Sequence, residues 1–138
     1  YEGFLRHVEA SPWRERVIRP GYVPDEDLPA VYAGAVSAAQ PSLYEGFGLP
    51  VLEAMASGCP VVASDASSLP EVGGDAALYF DPNDTEAMTA ALRALAADAD
   101  LRADLAGRGI ERAARYSWER TARETLALYE RVITGGTP

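Results

Sequence analysis

The chain has 138 residues, 48 % of them hydrophobic, with 21 acidic against 12 basic side chains and a formal net charge of −9. That is enough apolar material for one domain around a single core, which excludes a disordered chain, and a surface so acidic argues against nucleic acid as a general partner. A single cysteine, Cys59, excludes an intrachain disulfide, a single histidine, His7, cannot build a metal centre, and no apolar run approaches the roughly 20 residues of a membrane span.

The opening stretch from Tyr1 to Trp13 has neither start-of-protein character nor a signal-peptide pattern, so a piece of a longer polypeptide is expected. The first predicted strand is Arg16–Val23, "RVIRPGYV", closed by Pro20-Gly21. Asp25 or Asp27 then caps a helix over "LPAVYAGA". A weak, alanine-rich strand follows at Ala35–Leu43. Pro50 to Ser57 reads as a short helix, with Pro50 at its first position, Leu49 at its cap and Gly58 just past its end. Pro60–Asp65 is an apolar run suited to a strand buried on both faces, and Cys59 before it reads as a buried, inert thiol. "SLPEVGG" is a single turn, and Ala76–Pro82 is the fourth strand. This alternation argues an α/β fold with a Rossmann-like parallel sheet and flanking helices.

Beyond Asp81 the chain turns helical. Asn83 or Asp84 caps the first helix, Asp100 the second and Ser117 the third. In the third, Trp118, Ala122, Leu126, Tyr129 and Ile133 recur at spacings of four, four, three and four, which makes one apolar face. The tail "TGGTP" is expected to fray.

The stretch that carries chemistry is Glu45-Gly46-Phe47-Gly48-Leu49-Pro50, between a strand and a helix. Ligands of open parallel sheets bind beyond the carboxyl ends of the strands, where this stretch falls. A leucine cap offers no side-chain acceptor, so the amides of Val51 and Leu52 are expected to be orphaned at the positive end of the helix dipole. Gly46 and Gly48 allow a ligand close to the backbone. An uncapped helix start behind a glycine loop suits phosphate; a plain turn whose donors bond water fits the local features equally well. Glu45 and Glu53 bracket this loop with seven residues between them. An ionised carboxylate has acceptors and no donor, so each suits neighbouring hydroxyls of a sugar or ribose. Taken alone, Glu53 reads first as a surface glutamate favoured by the dipole, worth roughly 0.3–1 kcal/mol, and the pairing with Glu45 around the loop shifts the balance towards a ligand.

Together, "GYV", "DEDLPAVYAGA", "PSLYEGFGLPVLEAMASGCPVVASD", "LPEV" and "ALYFDPND" follow one another in an order that resembles the retaining glycosyltransferases of group 1, the family 4 type, with their Glu-x7-Glu motif. The resemblance runs from about Arg16 to Ile133 and implies the C-terminal, donor-binding domain of a GT-B fold. It implies one partial nucleotide-sugar-binding domain over residues 1–138, with a helical part at 84–134, and an absent N-terminal acceptor domain. It implies Glu45 as the catalytic residue, bonding the donor sugar. Gly46, Phe47, Gly48, Leu49, Pro50 and Val51 would line the sugar and diphosphate, Glu53 would take the ribose, and Gly21, Tyr22 and Val23 would lie by the base. Ser42 is either a polar contact or a strand-end turn residue; Glu71 is expected to cap or pair locally, and Asp65 to form a turn.

The implied donor is a UDP- or GDP-sugar, with mannose or glucose favoured by frequency in the family, and the acceptor is a sugar or glycolipid held by the absent domain. No metal or other cofactor is expected. The implied location is the cytoplasm, with the inner face of a membrane as a second site of action. A non-catalytic nucleotide-sugar-binding or interaction module with the same fold stays open as an alternative. The family's Arg and Lys clamp on the diphosphate has no counterpart: Arg6, Arg14, Arg16 and Arg19 do not fit it, and the chain has no lysine. Weak donor binding and no transfer are therefore expected of this chain alone, and an open sheet edge would favour self-association.

Overall fold

A computed structural model describes residues 2–135; Tyr1 and residues 136–138, most of the tail expected to fray, lie outside the described residues. The elements in order are α1 (Glu2–Ala10), a single 3-10 turn (Arg14–Arg16), α2 (Leu28–Ala33), β1 (Ala38–Gln40), α3 (Leu49–Ala56), β2 (Val61–Ser64), α4 (Leu69–Gly73), β3 (Ala77–Phe80), α5 (Thr85–Ala97), α6 (Ala99–Ala113) and α7 (Trp118–Ile133). The three strands form one parallel sheet in the order β1-β2-β3, with Ala38 opposite Val61 and Val61 opposite Ala77.

β2 is central and buried on both faces, which is why its sequence is an unbroken apolar run. Side chains alternate across the sheet, so consecutive strand residues serve two cores. On one face Val61 and Ala63 pack with Val51, Met55, Leu69 and Val72 from α3 and α4. On the other, Val62 and Phe80 pack with Leu95 of α5 and Leu105 of α6. α6 also reaches α3 at Gly109, where a Cβ would lie 3.2 Å from the Met55 side chain. Cys59 is buried, and burial pushes its thiol pKa up, as expected of an inert thiol.

Several sequence expectations are corrected. Residues 17–23 form no strand. Pro20 has no N–H to give a ladder, Gly21 turns the backbone left-handed at φ 76°, and no described strand lies alongside. α1 was not anticipated, and none of its residues is buried. The α3 cap is Gly48 rather than Leu49, with Leu49 and Pro50 opening the helix. Asp27 stands at the α2 cap position without making the cap bond. Asp98, not Asp100, caps α6: its carboxylate accepts from the Leu101 N–H, and its own N–H closes α5 on Ala94 O. One residue thus ends one helix and starts the next, a position Asp100 cannot hold. Glu71 is exposed and makes neither a cap bond nor an ion pair among the described residues. Asp84 caps α5 and Ser117 caps α7 through their side chains. The apolar face of α7 is present, but none of its residues is buried.

Candidate functional site

The site begins where β1 ends. Gln40 and Ser42 flank Pro41, so an extended backbone puts their side chains on one side. The chain then turns and brings Glu45 back over them. Gln40 Nε2 donates to Glu45 Oε1 at 2.7 Å and to Ser42 Oγ at 2.8 Å, and Ser42 Oγ donates to Glu45 Oε1 at 2.7 Å. One carboxylate oxygen is thus held by two donors. The other, Oε2, has no partner among the described residues and is the oxygen available to a ligand.

A second loop, between β2 and α4, fixes the backbone of the first. Ser67 Oγ accepts from the Glu45 N–H at 2.9 Å, and Ser64 Oγ donates to Ser42 O at 2.6 Å. Ser68 Oγ lies 3.0 Å from Glu45 O and 2.8 Å from Phe47 O. Ser67 holds a left-handed backbone at φ 52°, the single non-glycine residue to do so among those described. Gly48 sits at φ 108° against α4, and a Cβ there would come within 2.8 Å of Leu69 Cδ2. Glycine is needed at position 48 for conformation and for space alike.

At the start of α3 the orphaned amides are not those expected. The Val51 N–H bonds Gly48 O at 3.0 Å and the Leu52 N–H reaches the same oxygen at 3.4 Å. The amides without a partner among the described residues are those of Gly46, Phe47, Gly48 and Leu49. They lie between the Glu45 carboxylate and the positive end of α3, an arrangement that favours an anion.

Glu53 is exposed, one turn into α3. Tyr32 of α2 faces it: burial first, then the Glu53 charge, pushes the phenol pKa up. Tyr32, Gln40, Pro50 and Val51 line an open cavity of about 260 Å³ between α2, β1 and α3. Phe47 points the other way, edge-on to Tyr116 with ring centroids 6.0 Å apart. With Arg115 and Arg120, these two rings line a second cavity of about 390 Å³.

The expected residues Glu45 to Val51 thus follow the carboxyl end of β1, and Glu53 stands one turn into α3. Gly21, Tyr22 and Val23 line neither cavity, and Tyr22 is 85 % exposed. Sequence reasoning missed Gln40, Ser64, Ser67 and Ser68. The serine pair in "DASSLP", directly after the central strand, was the available signal for the last two. Asp65 stands in the turn after β2, its N–H on Phe80 O. No helix of the described residues is long and apolar enough to cross a membrane.

The family model for glycosyl transferases group 1 matches residues 4–112. The chain is 50 % identical over 129 residues to an O-antigen chain mannosyltransferase B of Escherichia coli, covering 94 % of this chain and 31 % of that protein. It is 41 % identical over 113 residues to a D-inositol 3-phosphate glycosyltransferase of Corynebacterium urealyticum, covering 80 % and 27 %. A solved structure of sucrose-phosphate synthase from Thermosynechococcus elongatus superposes with a TM-score of 0.83 at 30 % identity, over 98 % of this chain and 34 % of that one. The chain thus spans about a third of the length of the proteins it matches.

Proposed function

The chain belongs to the group 1 glycosyl transferases, and on that premise we propose that it is the donor-binding part of a retaining enzyme that moves a sugar from a nucleotide-diphosphate donor to an acceptor. The observation that carries this reading is the Glu45 carboxylate, anchored through Oε1 and open at Oε2, beside four unpartnered amides at a helix start.

In this reading Oε2 of Glu45 accepts hydroxyls of the donor sugar. The amides of Gly46 to Leu49 meet the diphosphate, and the α3 dipole favours the charge that grows there as the anomeric C–O bond breaks. The Val51 N–H serves the helix instead and its side chain is in the core, so Pro50 contributes surface and Val51 supports the loop from beneath. Glu53 takes the ribose hydroxyls, and Gly21, Tyr22 and Val23 lie by the base. The acceptor hydroxyl attacks on the face the leaving group quits and gives its proton to the departing diphosphate oxygen, which retains the anomeric configuration. The donor sugar is mannose, following the similar O-antigen mannosyltransferase, or glucose. The acceptor is a sugar or glycolipid held by a domain outside residues 1–138. Transfer takes place on the cytoplasmic side, at the inner face of a membrane when the acceptor is a lipid.

The test is a panel of GDP-mannose, GDP-glucose, UDP-glucose and UDP-galactose offered to the full-length protein, with product configuration read by NMR. Glu45→Ala is expected to lower turnover on the order of 100-fold or more, the loss typical of a transition-state electrostatic contact. Glu53→Ala is expected to raise donor KM with a smaller effect on kcat. Unchanged turnover in both variants overturns the assignment. Donor binding without turnover in the full-length protein would leave the non-catalytic module in its place. The isolated chain, with no Arg-Lys clamp at these amides, is expected to bind donors weakly and transfer nothing; turnover by it would also overturn the reading.

A further inference from the structure

We propose that Gln40 and Ser42 are positioning residues that fix the rotamer of Glu45 and so aim its one free carboxylate oxygen at the donor; this rests on the assignment of Glu45 above. The hydrogen count permits one arrangement. Ser42 has one proton, given to Glu45 Oε1, and its lone pair accepts from Gln40. Gln40 Nε2 has two protons, one for Ser42 Oγ and one for Glu45 Oε1. Turning the amide over would set its carbonyl oxygen against a carboxylate oxygen and a hydroxyl already committed as a donor, so the chemistry itself selects the orientation.

The consequence is a saturated Oε1 and an open Oε2. Swinging the Glu45 carboxylate away from this position breaks two bonds at once. The base of this small network is rigid: Gln40 is the last residue of β1, paired with Ala63 of the buried central strand, and Ser42 O is held by the buried Ser64. Pro41 between them removes backbone freedom. The network therefore transmits the position of the sheet to a single carboxylate oxygen. A reacting group displaced by about 1 Å can lose on the order of 100-fold in rate, so orientation of this kind is worth measuring.

The experiment is a double-mutant cycle on the full-length protein, with GDP-mannose and UDP-glucose as probes and kcat/KM as the readout. Gln40→Ala and Ser42→Ala are each expected to lose about 10-fold. In the Glu45→Ala background each should cost less than about twofold more, because a positioning residue has nothing left to position. Ser42→Thr, which keeps the hydroxyl, should restore most of the Ser42→Ala loss. Gln40→Met, nearly equal in volume and without a donor, should match Gln40→Ala and guards against a packing defect. Losses that multiply in the Glu45→Ala background, or single variants as active as the parent, overturn the proposal. If Glu45→Ala is itself fully active, it is the assignment of Glu45 that fails. Thermal melts of all variants are run alongside: Gln40→Met should melt with the parent, and an activity loss that appears only in variants that melt early also overturns it.

Discussion

The Glu45 loop and helix α7 are both apolar-rich segments with clear sequence signatures, and they end in opposite situations. The loop is tied to its neighbours by Gln40, Ser42, Ser67 and Ser68, and Gly48 packs on Leu69. α7 aligns Trp118, Leu126, Tyr129 and Ile133, yet Trp118 is 72 % and Ile133 is 83 % exposed. Both segments are well formed locally. What separates them is whether another element stands opposite, and that is a property of the surroundings rather than of the segment.

The sharpest way to break this contrast is a pair of matched truncations in the isolated chain, read by urea denaturation. Leu69→Ala, beneath the loop at 0 % exposure, is expected to cost about 2–5 kcal/mol. Leu126→Ala on α7 should change stability by less than about 0.5 kcal/mol. Equal losses would mean that α7 is packed after all. Within the loop, Gly48→Ala should cost about 1–3 kcal/mol, since it adds a side chain in a left-handed conformation and against Leu69. Gly46→Ala, with nothing within 4 Å of the added carbon, should leave the denaturation midpoint nearly unchanged. A midpoint that falls for Gly46 and holds for Gly48 would invert the packing assignment.

Next in size are the caps. Asp98→Ala removes the bond to the Leu101 N–H and should cost about 1 kcal/mol of global stability. Ser117→Ala removes an equivalent bond from α7 and should lower helix content by circular dichroism while leaving the urea midpoint in place. A shift of that midpoint matching Asp98→Ala would join α7 to the cooperative unit.

A last effect is confined to alkali. Burial pushes the Tyr79 phenol up to about 12 from its ordinary 10.0, outweighing the nearby Arg112, which pulls it down. Its folded pKa is the higher one, so the contribution is complete below pH 10 and is lost as pH rises towards 12. Tyr79→Phe should show a flatter decline of stability over that window than the parent, and parallel declines would remove Tyr79 as the cause.

What could be read in the sequence follows the same division. β2 was legible because burial on both faces leaves an uninterrupted apolar run, and the partly buried β3 keeps a shorter one. The Glu45 stretch was legible as a loop between a strand and a helix because two glycines and a proline punctuate it. Arg16–Val23 was misread because an apolar pattern cannot report the absence of a ladder partner. α1 escaped notice because an element with no buried residue leaves a weak imprint. The α6 cap was misjudged by two residues because aspartates stand at both 98 and 100, and only the fold puts Asp98 at a corner shared by two helices. Gln40 stayed hidden because its role depends on a turn that brings Glu45 back, five residues on, over the strand end.

Ser68 carries a further lesson. Its hydroxyl has one proton and faces two carbonyls, those of Glu45 and Phe47, at 3.0 and 2.8 Å. Only one can be fully served at any instant. The proton can swing from one oxygen to the other by rotation about a single bond, so the loop can breathe by a fraction of an ångström without losing its tether. A side chain with two donors would have frozen it. The hydroxyl makes a swivel, which lets the Glu45 loop shift slightly against α4 and stay tied to it.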